Sequence, residues 1–78
     1  MQWDAELDAR GLLCPLPVLR ARKRLMALAP GQVLRLLADD PAAVVDIPHF
    51  CTEQGHVLLA SAEIAHRERA YLIRRRAG

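Results

Sequence analysis

Aromatic side chains are nearly absent: the 78-residue chain holds one Phe, one Trp and one Tyr. Proteins that grip single-stranded RNA or DNA stack bases on aromatic platforms, so that mode of binding is disfavoured. Charge of one sign is also lacking. Eleven Lys and Arg face nine Asp and Glu, a formal net charge of +2, too little for an affinity built on neutralising many phosphates. Long apolar runs are missing too. The longest, Gly11 to Leu19, holds two prolines and falls far short of the ~20 residues needed to cross a bilayer. Met1 to Arg10 carry three acids and no apolar core, so no secretory signal is expected and the expected location is cytoplasmic. There are only two cysteines, with no Cys-x-x-Cys pair. In a reducing compartment such thiols are reactive or buried rather than a structural staple. No repeat, linker or low-complexity stretch divides the chain, and one domain over residues 1–78 is expected.

What is present suffices for a folded domain: 53% of residues are hydrophobic and 26% charged, far from the composition of disordered chains. A domain this small removes roughly 60–65% of its unfolded surface from water. Little remains for a deep cavity, and any chemistry should lie at the surface.

Periodicity and punctuation give six elements. Ala5 to Ala9 alternates apolar and acidic residues, as a half-buried strand does. After Arg10-Gly11, the run Cys14-Pro15-Leu16-Pro17 opens a helix whose Val18, Ala21, Leu25 and Leu28 recur at spacings of three and four. Pro15 suits the first helical position, where its missing N–H costs nothing, and Pro17 is still tolerable within the first turn. Pro30-Gly31 stops this helix. Val33 to Ala38 is an apolar strand, expected inside the sheet. Asp39-Asp40-Pro41 supplies a capping acid and an N1 proline for a second helix, striped by Val44, Ile47 and Cys51 and ended by Gly55. Pro48 inside it predicts a kink or restart near Ile47. Val57 to Glu63 and Ala70 to Arg75 read as two strands joined by the turn His66-Arg67-Glu68-Arg69.

The order βαβαββ predicts an α+β two-layer sandwich, with two helices packed on one face of a four-stranded mixed sheet. The first helix would join two parallel strands by a right-handed crossover. The carboxyl ends of those strands then share an edge, which places Cys14 near Asp39 and Asp40.

A cysteine just before a Pro-led helix has a chemical consequence. Unpaired N–H groups and the positive end of the helix dipole favour an anion there, and such settings, together with neighbouring cations, lower a thiol pKa from ~8.5 to between ~3.5 and ~7.5. Arg10 and the basic run from Arg20 to Arg24 would add positive potential. The expectation is therefore an exposed, anionic Cys14, able to act as a nucleophile or to hold a persulfide. The plainer reading is a small residue filling an apolar gap.

The run Leu7-Asp8-Ala9-Arg10-Gly11-Leu12-Leu13-Cys14-Pro15-Leu16-Pro17-Val18 closely resembles the signature of the TusA (SirA-like) sulfur-carrier family, a Cys-Pro-x-Pro motif at the start of the first helix. Pro30-Gly31, Ala38-Asp39-Asp40-Pro41-Ala42, Asp46-Ile47-Pro48-His49-Phe50-Cys51, Gly55-His56 and Tyr71-Leu72-Ile73-Arg74 are similar to the same family. The resemblance implies a βαβαββ sandwich in which Cys14, set by Pro15 and Pro17, accepts sulfane sulfur as a persulfide. It implies a cysteine desulfurase or rhodanese-type donor and a downstream relay acceptor, in tRNA 2-thiolation, molybdenum-cofactor assembly or sulfur oxidation. Such a chain is a sulfurtransferase-type carrier acting between partner proteins. Leu16 stands where many relatives carry Glu, which bears on the choice of partner rather than on the chemistry.

A carrier with little pocket draws its specificity from protein contact. Arg22 and Asp40 are the expected partner-binding residues, although the Arg20 to Arg24 run also reads as the wet face of an amphipathic helix. Cys51, on an apolar stripe, is expected to be buried and inert. His49, Cys51 and His56 match no familiar ligand spacing, and neither metal nor cofactor is expected; the histidines should be solvated or capping. Trp3 should pack on the sheet edge or fray. A monomer is expected, without membrane or direct nucleic-acid partners. Two alternatives remain open: a thiol-disulfide redox protein using Cys14 and Cys51, and a non-catalytic module binding RNA or protein.

Overall fold

The computed structural model describes residues 2–78. Its elements are β1 (Ala5–Asp8), α1 (Leu16–Met26), β2 (Val33–Ala38), α2 (Ala43–Gln54), β3 (Val57–Ala65) and β4 (Glu68–Arg74). They form one mixed four-stranded sheet in the order β1-β2-β4-β3. β1 runs parallel to β2, while β4 is antiparallel to both β2 and β3. The apolar β2 is thus internal, as its sequence requires.

Alternation along β2 and β4 sorts the two faces of the sheet. Leu34 and Leu36 on β2 lie opposite Ile73 and Tyr71 on β4, and all four are sealed from water. They form one core with Ala21 and Leu25 of α1 and Ile47, Phe50 and Cys51 of α2. Both helices therefore cover a single face. On the other face, Arg35 donates to Glu6 at 2.8 Å and stacks over the Trp3 ring at 4.8 Å, which places Trp3 on the open side of the sheet.

The boundaries depart from the sequence reading in several places, among them α1, which stops at Met26 short of Leu28, and β4, which stops at Arg74; four others have a local reason. β1 ends at Asp8, yet the Ala9 N–H still donates to the Leu37 carbonyl at 2.8 Å. The β3–β4 turn shrinks to His66-Arg67, because Ala65 pairs with Glu68 and Arg67 takes a left-handed φ of 63°. Pro15 is the N-cap rather than the first helical residue, which is Leu16. In α2 the Asp40 carboxylate accepts from the Ala42 N–H at 3.2 Å and its carbonyl from the Ala43 N–H at 3.0 Å. That capped turn precedes regular helix, which begins at Ala43 rather than beside Pro41.

Pro48 causes no restart: α2 is continuous through it. The carbonyl that a proline leaves unbonded belongs to Val44, four residues back, and Val44 lies at the surface, where water can satisfy it. Gly55 ends α2 in the left-handed conformation, φ 78°, its N–H donating to the Cys51 carbonyl.

Candidate functional site

Because β1 and β2 are parallel, the loops leaving them emerge at one edge of the sheet. Two acids of the second loop fasten the first loop there. Asp39 Oδ1 accepts from the Gly11 N–H at 2.9 Å, and Asp40 Oδ2 accepts from the Cys14 N–H at 2.7 Å. Gly11 occupies a positive φ of 83°, a conformation glycine adopts without steric cost, and this turns the chain out of β1 towards Cys14. The juxtaposition of Cys14 with Asp39 and Asp40 expected from topology is present.

Cys14 is exposed and free. It stands at the mouth of a groove of about 340 Å³ between the helices, lined by Pro15, Val18 and Arg22 from the α1 side and by Asp46, His49 and Glu53 of α2 among others. Leu19 of the groove lining is half exposed, and Leu13 and Val45, the chain neighbours of Cys14 and Asp46, are 70% and 71% accessible. The Cys14–Pro15 peptide is cis.

The electrostatic expectation fails at this atom. The Cys14 Sγ–H donates to Asp46 Oδ2 at 3.2 Å, and the thiol pKa is raised above its ordinary value. The hydrogen bond to Asp46 contributes most, followed by partial desolvation and then by the charges of Asp46 and Asp40. Two local facts explain why the helix start does not compensate. Pro15 and Pro17 have no N–H to offer. The Leu16 N–H is already donated to the Leu13 carbonyl at 2.8 Å.

The cations counted on by the sequence reading are also directed elsewhere. Arg10 donates to Asp8 at 2.8 Å and to Glu68 at 3.0 Å, and its hydrogen bonds hold the Asp8 carboxyl down at about 2. Arg20, Lys23 and Arg24 line a separate groove with Leu7 and Ala27. Of the basic run, Arg22 alone lines the Cys14 groove. The surroundings of the resting thiol consequently favour its protonated form over the anion expected from the sequence.

The other candidates separate clearly. Cys51 is 2% exposed, and burial pushes its thiol up to about 11, so it offers no accessible second sulfur. His49 is exposed beside Glu53, 3.2 Å away. His56, expected to be solvated or capping, is instead buried, and its Nδ1 accepts from the Arg76 N–H at 3.0 Å. Among the described residues no three side chains of metal-ligand type gather, and no helix is long and apolar enough to cross a membrane. Asp46 is the functional neighbour that residue-level reasoning overlooked. It lies at the fourth position of α2, and only the packing of α2 against α1 brings it to Cys14.

Fold and site together define a small two-layer α+β protein that presents one accessible cysteine at the start of its first helix. Comparison with known proteins makes the class specific. Residues 5–75 match the family described as Sulfurtransferase TusA, and the chain belongs to that family. It is 51% identical over 61 residues to the sulfur carrier protein TusA of Allochromatium vinosum, covering 78% of this chain and 80% of that one. The crystal structure of the SirA-like protein from Desulfitobacterium hafniense superposes with a TM-score of 0.83 at 26% identity, over 94% of this chain and 99% of the other.

Proposed function

We propose that the protein is a sulfur carrier in which Cys14 takes up sulfane sulfur as a persulfide and passes it to a second protein. The observation that carries this reading is the exposed Cys14 Sγ at the mouth of the interhelical groove, within the Cys-Pro-x-Pro motif of a TusA-family chain. The open groove and apolar rim suit contact with another protein surface better than enclosure of a small substrate. In the uptake step the Cys14 sulfur bonds to the outer sulfur of the donor's persulfide, the donor's S–S bond breaks, and the Cys14 proton ends on the donor thiol. No external oxidant or reductant is needed.

The resemblance supports a cysteine desulfurase or rhodanese-type protein as donor and a relay protein as acceptor, in tRNA 2-thiolation or related sulfur trafficking. Arg22, which lines the groove, and Asp40, at the loop, are the proposed partner-facing residues. Incubation with a cysteine desulfurase and L-cysteine should add one sulfur, about 32 Da, to the wild type and nothing to Cys14→Ser. Absence of the adduct with both donor classes would overturn the proposal.

A further inference from the structure

Five ionisable groups face or surround Cys14: Asp40 from the β2–α2 loop, Arg22 from α1, and Asp46, His49 and Glu53 from α2. Among the described residues only Asp46 hydrogen-bonds the sulfur, Sγ to Oδ2 at 3.2 Å. A carboxylate in that place accepts the thiol proton and repels a negative sulfur. Arg22 is the one cation lining the groove, and no salt bridge engages it among the described residues. His49 lies against Glu53.

We propose that Asp46 is a positioning residue for Cys14, accepting the Sγ–H in the free carrier and holding the sulfur as a neutral thiol at the groove mouth until a partner fills the groove. This rests on the sulfur-carrier reading for its biological meaning, but not for its test. The hydrogen bond fixes the Sγ rotamer towards α2 and withholds the nucleophilic form of the sulfur from small electrophiles. A partner that brings positive charge against Asp46, or turns its carboxylate away, releases the thiolate at the moment of contact.

Alkylation of the free protein by iodoacetamide, followed by mass spectrometry that localises the label to Cys14, reads this without any sulfur donor. Its failure is therefore separable from failure to form a persulfide. The wild-type rate should rise with pH along a curve displaced above that of an ordinary cysteine, ~8.5. Loss of one charge-assisted hydrogen bond raises the thiolate fraction roughly tenfold, and the lower nucleophilicity of a less basic sulfur takes back about threefold. Asp46→Asn should thus alkylate about threefold faster at pH 7, and Asp46→Glu should stay nearer the wild-type curve. Far-UV circular dichroism checks that each variant is folded. A wild-type curve at or below the ordinary cysteine position overturns the proposal whatever the variants do, as does a folded Asp46→Asn with an unchanged profile.

Discussion

Asp40 joins the two loops of the site, and its removal should loosen both at a cost that follows from its contacts. Oδ2 accepts from the Cys14 N–H at 2.7 Å and Oδ1 from the Ala42 N–H at 3.2 Å. A hydrogen bond to a charged group contributes about 1.5–3 kcal/mol. The first contact is exposed and belongs at the low end of that range. The second is longer and nearer the ~0.5–1 kcal/mol of an ordinary bond. Asp40→Ala should therefore destabilise the fold by about 2 kcal/mol, which for a domain of this size lowers the melting temperature by roughly 10 °C. Asp40→Asn keeps one acceptor oxygen and should lose about half as much. Asp39→Ala removes the single bond to the Gly11 N–H and should fall near Asp40→Asn. Equilibrium urea unfolding at pH 7, with the slope unchanged among variants, measures all three. If Asp40→Ala unfolds within ~0.3 kcal/mol of wild type, then Asp40 does not tie the Cys14 loop to α2, and the account of how the site is held fails.

Two further substitutions probe the layers beneath. Ile47 is fully enclosed while Val45, two residues earlier, is 71% accessible, so Ile47→Ala should cost about 2–5 kcal/mol and Val45→Ala less than ~0.5 kcal/mol by urea unfolding; similar losses at both would mean that α2 packs on the wrong face. His56 is held below its ordinary 6.5 by burial and by Arg76 and Arg75. The unfolded chain therefore binds the extra proton more readily: stability should be full above pH 6.5 and decline as pH falls below it towards the folded value. His56→Gln should flatten that part of the pH–stability curve, and a slope unaltered by the substitution would place the titration elsewhere.

The sheet and its internal strand were legible because burial imposes short-range patterns. Val33 to Ala38 reads as apolar throughout and lies between β1 and β4. Gly55, after the last helical residue, marks the left-handed stop that the structure shows. Cys14 could be placed beside Asp39 and Asp40 because two parallel strands leave their loops at one edge, a consequence of topology alone. Charge around the sulfur was not legible in the same way. Arg20 to Arg24 are close to Cys14 in sequence, but helical rotation sends Arg20, Lys23 and Arg24 to a different groove and leaves Arg22 beside the thiol. Asp46 lies far along the chain, and no periodicity marks it as a partner of Cys14. Its approach depends on how two helices pack, which a linear pattern does not encode. The two prolines illustrate the same point: they signal a helix start correctly, yet by lacking N–H groups they weaken the anion site that a helix start ordinarily supplies.

Exposure and ionisation are separate requirements for a reactive cysteine, and this fold provides the first while opposing the second. Exposure follows from placing Cys14 in a loop at the sheet edge, ahead of a helix whose apolar stripe is already turned inward. Ionisation is set by α2 and the β2–α2 loop, where Asp46 and Asp40 oppose it. A permanently exposed thiolate would react with any oxidant or electrophile that reached it, since such damage follows thiolate character and access together. A neutral thiol in the same place is slow towards small reagents. In the proposed sulfur carrier it responds to a protein surface, because that surface alone is large enough to cover the groove, displace its water and alter the charge beside Asp46. In that proposal selectivity arises from the coupling between docking and proton release, rather than from a pocket that an 8.7 kDa chain has no room to build.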